Sequence, residues 1–423
     1  MAILQLPAQK DTQKSIFDDN IKPIADFLLQ HYEIRVSVQD PSKKYIRCKD
    51  ADRQNIEPNE REISLHLASD GIRVGDATLR KILSSPYYIP HVDPIKEYFD
   101  SVRGTWNGTS QIDILCSHIK IREFGETVDK PYTLRAHKLI KKWLVACVGT
   151  WLDNVPNDVI LGFIQSKGGS GKSFMMKYFL PPCLQDYYIE SSKDEKKFDM
   201  EDVYTRYMIV NYDELEGITK GTINTLKKVQ TTDKITIKRR DEIYATKKNR
   251  IGCGVLSTNF NSENGGFIYG WYGPDTRRFG LIEIDDIDKS YSQIIDINQI
   301  WAEALVLYSD ANFDYHFDNP DYADFLEYNL RYRIETMAMK RLIKYVRPPR
   351  FDEETQKMEV GEKMTPTQIL NRLVEMRHIK NDDDINSQKI GTALHDLGYE
   401  VISFRSKEDN NESRKGYHVV FIK

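Results

Sequence analysis

The sequence predicts an α/β fold with a helical N-terminal region and a C-terminal winged helix. Three observations carry this. Val159 to Ile164, Tyr207 to Asn211 and Ile251 to Leu256 are apolar runs of strand length, and each gives way to glycine or short polar residues, as a buried strand does at its loop. Stretches with apolar residues every three or four positions, Tyr132 to Trp151 among them, have the pattern of amphipathic helices. Residues 364–423 hold two capped helical stretches followed by two alternating ones.

Length and charge set limits on these elements. A chain of 423 residues accommodates several domains, and 60 basic against 64 acidic residues leave a net charge of −4. Any contact with nucleic acid must therefore come from local basic clusters, not from the field of the whole molecule. Cys48, Cys116, Cys147, Cys183 and Cys253 are scattered and never form a C-x-x-C pair, which argues against a disulfide framework or a structural zinc site. Cys116 and His118 lack a second ligand pair and read as packing residues. The N-terminus turns polar after six residues and no apolar run has the length of a bilayer, so a cytoplasmic protein without membrane contact is expected.

Residues 1–90 read as a mixed N-terminal domain. Ile21 to Tyr32, Glu60 to Leu67 and Asp76 to Leu83 are helix-like, and Tyr45 to Cys48 is a short strand. Asp50 and Asp52 form a D-x-D pair, but no basic or histidine motif accompanies it, so a solvated turn is the expectation. Residues 91–155 read as a helical connecting region, with Pro94 to Val102 starting one helix. On the long helix, Leu139, Ile140, Trp143, Leu144, Cys147 and Val148 share one side and Arg135, Lys138, Lys141 and Lys142 the other. That basic side is either a solvated face or a contact to a neighbouring subunit or to DNA phosphates.

Residues 156–285 form the predicted core. The first strand opens into Gly168-Gly169-Ser170-Gly171-Lys172-Ser173 and then an apolar helix. Several backbone N–H groups must turn inward to hold a polyphosphate, which requires glycines, and the pattern is that of a phosphate-binding loop. In it Lys172 reaches the β and γ phosphates of ATP and Ser173 holds Mg²⁺. One position departs from the usual pattern: Ser166 stands where the first glycine is expected. A kinase, a GTPase or a motor can use such a loop, and its neighbours narrow the choice. The second strand ends on Asp213-Glu214, an acidic pair suited to order Mg²⁺ (Asp213) and to polarise the attacking water (Glu214). The third ends on Ser257-Thr258-Asn259, where Asn259 is either a sensor of the γ-phosphate or a turn former.

Between the second and third strands, Lys220 to Gln230 reads as a helix, and Lys234 to Lys248 alternates about Lys238, Arg239 and Arg240 as a hairpin with a basic tip would. With Lys247 and Lys248 it forms a cluster suited to track a nucleic-acid backbone in the channel of a ring. Arg277 and Arg278 precede another β-like run; jointly they are candidates for a guanidinium delivered to the γ-phosphate of a neighbouring subunit, or else for a structural ion pair. Residues 286–347 read as a helical extension, Ile297 to Leu307 and Tyr322 to Val346 being its longest helices, and 348–363 as a linker. In the winged-helix-like domain at 364–423, Thr365 caps one helix and Ser387 a second, whose outer face offers Gln388, Lys389, Thr392 and His395 to DNA, with protein docking as the alternative use.

Taken in order, Leu79-Arg-Lys-Ile, Asp93-Pro-Ile-Lys-Glu-Tyr-Phe, Lys142-Trp-Leu-Val, GSGKS at 169–173, Asp213-Glu-Leu-Glu-Gly, Ser257-Thr-Asn, Asp275-Thr-Arg-Arg-Phe and Trp301-Ala-Glu-Ala make residues 75–310 resemble the virulence-associated protein E family. These are helicase-like proteins of phages and integrated mobile elements, related to superfamily 3 helicases. The resemblance implies an AAA+-type ATPase core, ATP and Mg²⁺ as cofactors, and a homo-oligomer, a hexameric ring, acting on single-stranded and forked DNA during replication in a bacterial host cell. Family members often work with a primase; none is legible in the first 75 residues, so a separate primase or replication initiator is the expected partner. The alternatives are an origin-binding or regulatory ATPase switch and a phage-related defence or packaging ATPase, which would share the motor core.

Overall fold

The computed structural model describes residues 16–53, 58–125, 131–165, 169, 171–191, 199–213, 220–239, 244–263, 266–269, 276–352, 356–379, 384–405 and 413–422. The chain divides into two units, Met1–Asp100 and Ser101–Lys423. The first contains α1 (Ile16–His31), β1 (Tyr32–Ser37), β2 (Lys44–Cys48), α2 (Glu60–Ser69), α3 (Asp76–Leu83) and β3 (His91–Val92), and α4 (Pro94–Val102) follows across the division in sequence. β1 pairs antiparallel with β2 and parallel with β3, so this unit mixes helices with a small sheet and is not purely helical. The helix stops at His31, after which Tyr32, Ile34 and Val36 are buried while Glu33 and Arg35 are exposed, the period of a half-buried strand. Leu28, Val36, Ile63, Leu67, Leu79 and Leu83 make the core of this unit.

The second unit begins with α5 (Gln111–Ser117), β4 (Ile119–Ile121), α6 (Tyr132–Asp153), β5 (Ile160–Ile164), α7 (Lys172–Tyr178), β6 (Tyr188–Ser191), α8 (Met200–Val203), β7 (Ile209–Tyr212) and α9 (Lys220–Thr231). It continues through β8 (Lys234–Ile237), β9 (Thr246–Asn249), β10 (Cys253–Thr258), β11 (Ile268–Tyr269), β12 (Phe279–Ile287), α10 (Tyr291–Ile294), α11 (Ile297–Ser309), α12 (Asn319–Asn329) and β13 (Arg333–Ile334). A six-stranded sheet runs β4-β12-β5-β10-β7-β6. All its strands are parallel except β4, which lies antiparallel at one edge. Counting the parallel strands in chain order, the sheet reads 5-1-4-3-2. β10 thus lies between β5 and β7, and the loops leaving the carboxyl ends of these three strands are neighbours. β6, at the other edge, carries the polar sequence Tyr-Ile-Glu-Ser, which has no apolar run to announce it.

α6 lies against this sheet, with Trp143 Nε1 donating to Val159 O at 3.0 Å. Its basic side is engaged within the chain, although Lys138 remains exposed. Lys142 and Lys138 meet Asp321 at 2.6 and 2.9 Å, Arg135 meets Asp324 at 2.6 Å and Lys141 meets Asp113 at 2.7 Å. Burial alone would raise the Asp321 carboxyl, but hydrogen bonds from Lys138 and Lys142 outweigh it and hold the group below its ordinary value. The unfolded chain therefore takes up this proton first as pH falls, so the stabilisation is complete above about pH 4 and is lost as pH drops through the lowered folded value. Asp321→Asn is expected to cost about 3 kcal/mol at neutral pH, because Lys142 keeps its burial and loses its counter-charge. Urea midpoints of both proteins, compared from about pH 7 to about pH 3, should converge at the acid end.

The helix expected over 322–346 is interrupted. α12 ends at Asn329, β13 pairs with β11, and Thr336 caps a new helix, α13 (Met337–Tyr345), by accepting from Met339 N–H. The remaining elements are β14 (Val346–Arg347), β15 (Phe351–Asp352), β16 (Lys357–Met358), β17 (Glu362–Met364), α14 (Pro366–Glu375), α15 (Ser387–Asp396), β18 (Val401–Arg405) and β19 (Ser413–Phe421). β19 is antiparallel to β14, β17 and β18. Ala338, Met339 and Leu342 share a core with Ile369, Leu373, Ile390, Leu394 and Val419. Within 348–363, where a linker was expected, the described residues include β15, β16 and the start of β17. Asn386, one residue before Ser387, is the cap of α15.

Candidate active site

The first strand of the core, β5, leads into the glycine-rich loop. Gly169 and Gly171 have φ of 77° and 95°, the left-handed region where a side chain is strained. A Cβ on Gly171 would also stand 2.9 Å from Cε of Lys289, whose Nζ donates to Gly169 O at 3.1 Å. Lys172 opens α7 with its side chain buried, and Nζ donates to Asn259 Oδ1 at 3.0 Å and to Gln165 O at 3.5 Å. Ser173 Oγ donates to Asp213 Oδ1 at 3.2 Å, and Ser257 Oγ donates to the same oxygen.

The parallel register explains this convergence. Thr258 lies opposite Ile164, and Leu256 opposite Tyr212, so Asn259, Asp213 and the loop after Ile164 emerge at one edge of the sheet. The hydroxyls of Ser173 and Ser257 together with the Asp213 carboxylate form an all-oxygen donor set, which suits a hard divalent cation such as Mg²⁺. A buried ammonium stands in the same group. Among the expected residues, Ser166, Gly168, Ser170, Glu214 and Arg240 lie outside the described residues.

Arg277 and Arg278 are not brought to this edge. They precede β12, which pairs with β5 from Phe279 opposite Ile160, so the length of β5, about 17 Å, separates them from the loop. Arg278 Nη1 is held by Asp158, whose Oδ2 also accepts from Tyr322 OH at 2.7 Å, and the Arg277 guanidinium lies 5.2 Å from the centre of the Tyr322 ring.

The basic hairpin is β8 paired with β9, Ile237 opposite Thr246. Ile235 and Ile237 are buried in the core, while Lys238 and Lys247 are exposed and Lys248 is half-buried. Arg239 folds back: Nε lies 2.9 Å from Asp202 and Nη2 donates to Thr205 Oγ1 at 3.1 Å, so a nearby carboxylate already engages the charge expected for nucleic acid. Lys389 likewise meets Asp384 at 2.7 Å on an exposed face of α15.

Three members of the site were not singled out from the sequence. Ser257 lies two residues before Asn259, inside the motif that pointed to it. Gln165, which donates from Nε2 to Asp285 O at 2.6 Å, directly follows the first strand. Lys289 follows β12 by two residues, and the carboxyl ends of parallel strands are where ligand-facing loops gather.

A family model described as virulence-associated protein E-like domain matches residues 100–333. Among solved structures, the chain is similar to the apo C-terminal region of NrS-1, with 13% identity, a TM-score of 0.45 and coverage of 95% of this chain and 99% of that one. It is similar also to JCV helicase bound to a small molecule, with 11% identity, a TM-score of 0.27 and coverage of 56% and 67%. No curated protein matches the chain. Among the described residues no helix is long and apolar enough to cross a membrane.

Proposed function

The chain belongs to the virulence-associated protein E-like family, and from that premise we propose that it is an ATP-dependent DNA helicase for replication of a phage or mobile element. In this reading an AAA+-type core forms a hexameric ring that moves along single-stranded DNA. The 5-1-4-3-2 strand order supports it, since one strand separates the phosphate loop from the acidic strand and presents Asn259 between them. Ser173, Asp213 and Ser257 would hold Mg²⁺, which when bound screens the phosphate charges and orders water around them. Lys172 pairs with the β and γ phosphates. Glu214 takes the proton of the attacking water as its oxygen bonds to the γ phosphorus and the bond to the bridging oxygen breaks, giving ADP and phosphate. Asn259, already bonded to Lys172, registers the loss of the γ-phosphate. Arg277 would act on the site of the adjacent subunit.

The observation that carries the helicase reading is the position of the basic hairpin, inserted between the strands that bear Asp213 and Asn259. Its base is tied to the sheet by buried Arg250, which donates to Gly252 O at 2.8 Å, Asn157 O at 3.1 Å and Gln230 Oε1 at 3.1 Å. A shift of β10 would thereby be passed to Lys238 and Lys247. Replacing both by alanine should leave DNA-independent ATPase intact and reduce unwinding of a forked duplex by about tenfold or more. Normal strand displacement by that double variant would sink the hairpin assignment.

A second reading, a regulatory ATPase switch that holds DNA through the C-terminal winged helix, is favoured by exposed Arg405, Arg414 and Lys415 around the β18–β19 wing. Arg405→Glu with Lys415→Glu separates the two. Loss of duplex binding with unwinding retained supports the motor, and loss of all DNA association supports the switch.

A further inference from the structure

Within the first unit, three elements bring metal-ligating atoms to one point. His31 is the last residue of α1, Asp50 follows β2, and His66 lies in the last turn of α2. His31 Nδ1 is 2.9 Å and His66 Nε2 3.5 Å from Asp50 Oδ2, and the three atoms lie within 4.8 Å of one another. We propose that His31, Asp50 and His66 form a binding site for one zinc ion, with water as its fourth ligand, that clamps this unit together.

The surroundings are those of a built site. The second nitrogen of His66, Nδ1, is 2.7 Å from Tyr32 OH, a contact that orients the ring so that Nε2 faces Asp50. Tyr32 stands opposite Cys48 in the β1–β2 register, and the Cys48 thiol reaches the same Asp50 oxygen at 3.9 Å. Phe27 walls the other side, stacked on His31 at 4.3 Å and edge-on to His66 at 5.0 Å. Zinc bonds of about 2.0–2.2 Å set tetrahedral ligands about 3.3 Å apart, and the observed 2.9 and 3.5 Å bracket that spacing. Two imidazoles are borderline donors, and with one carboxylate beside them they favour zinc over the hard cation suited to the oxygen set at Asp213. The side chains of His31 and Asp50 are 22% and 30% exposed, leaving one side open for water and for entry of the ion.

The D-x-D pair at Asp50 gave no sign of this from the sequence, because its partners lie 19 residues before it, at His31, and 16 after it, at His66. The test uses the full chain stripped with chelator and titrated with Co²⁺, then Zn²⁺. The expected result is one equivalent of Co²⁺ with the ligand-field absorption of a four-coordinate site, displaced by Zn²⁺, and a raised thermal transition. Asp50→Asn and His31→Gln, which keep size and hydrogen bonding, should weaken Co²⁺ binding more than about 100-fold, and Tyr32→Phe about tenfold. Asp213→Asn should leave the Co²⁺ signal unchanged, separating this site from the phosphate loop. Far-UV circular dichroism of the metal-free variants establishes that they fold; should one fail, the other two carry the comparison. Absence of the absorption band, or binding by Asp50→Asn and His31→Gln as tight as by the parent, overturns the site.

Discussion

Lys172→Ala should lower ATP turnover by about 100- to 1000-fold, the size of effect that follows removal of one preorganised charge or donor from a water-poor site. Lys172 is buried, and its ammonium is positioned by Asn259 and the Gln165 carbonyl before any nucleotide arrives. That preorganisation is why the loss should be large. Lys289 also stands beside the loop, but it is exposed and its Nζ is directed at Gly169 O. Lys172→Arg should not rescue turnover, since the wider planar guanidinium does not fit where one compact ammonium meets two acceptors. Phosphate release at saturating ATP and Mg²⁺ is the measurement. Turnover within tenfold of the parent would remove Lys172 from the proposed chemistry.

Arg277→Ala is expected to lower ATP turnover of the assembled protein by about 1000-fold while leaving nucleotide affinity nearly unchanged, the pattern of a guanidinium that acts on transition-state charge. Arg277 lies at the opposite end of the parallel strands from its own phosphate loop, so in the proposed reading its guanidinium would serve a neighbour's site. Mixing Arg277→Ala with Lys172→Ala subunits should therefore restore part of the activity, because some interfaces then join an intact Lys172 to an intact Arg277. Arg278→Ala serves as the contrast. Its charge pairs with Asp158, which also accepts from Tyr322, so its loss should reduce stability, and mixing should not repair it. No recovery in the Arg277 mixture would mean that the site does not draw on a second subunit's arginine.

Much of the fold was legible because strands and turns are written in a few consecutive residues. The buried strands β5, β7 and β10 announce themselves as apolar runs, and the hairpin by its alternation. β6 did not, because an edge strand needs little apolar sequence. The break between α12 and α13 was missed although Thr336 is a cap, because apolar residues continue through the Leu330–Tyr332 turn and mimic one helix. Ser257 and Lys289 were missed for a different reason: they belong to the site by adjacency of strand ends, and strand order is not a local property.

By itself the sequence determined which residues are chemically equipped for the work: the glycines with Lys172 and Ser173, then Asp213, Asn259 and the basic hairpin. Each stands at the end of an element whose period is short. The tertiary structure decided which charges remain available. Lys142 is consumed by Asp321, Arg239 by Asp202 and Arg278 by Asp158, while Lys238 and Lys247 stay exposed. It also assembled His31, Asp50 and His66 at one point. The physical reason is common to all of these. An ion pair or a ligand set requires proximity in space, and proximity between residues far apart in the chain is set by how the elements pack, which no local pattern records.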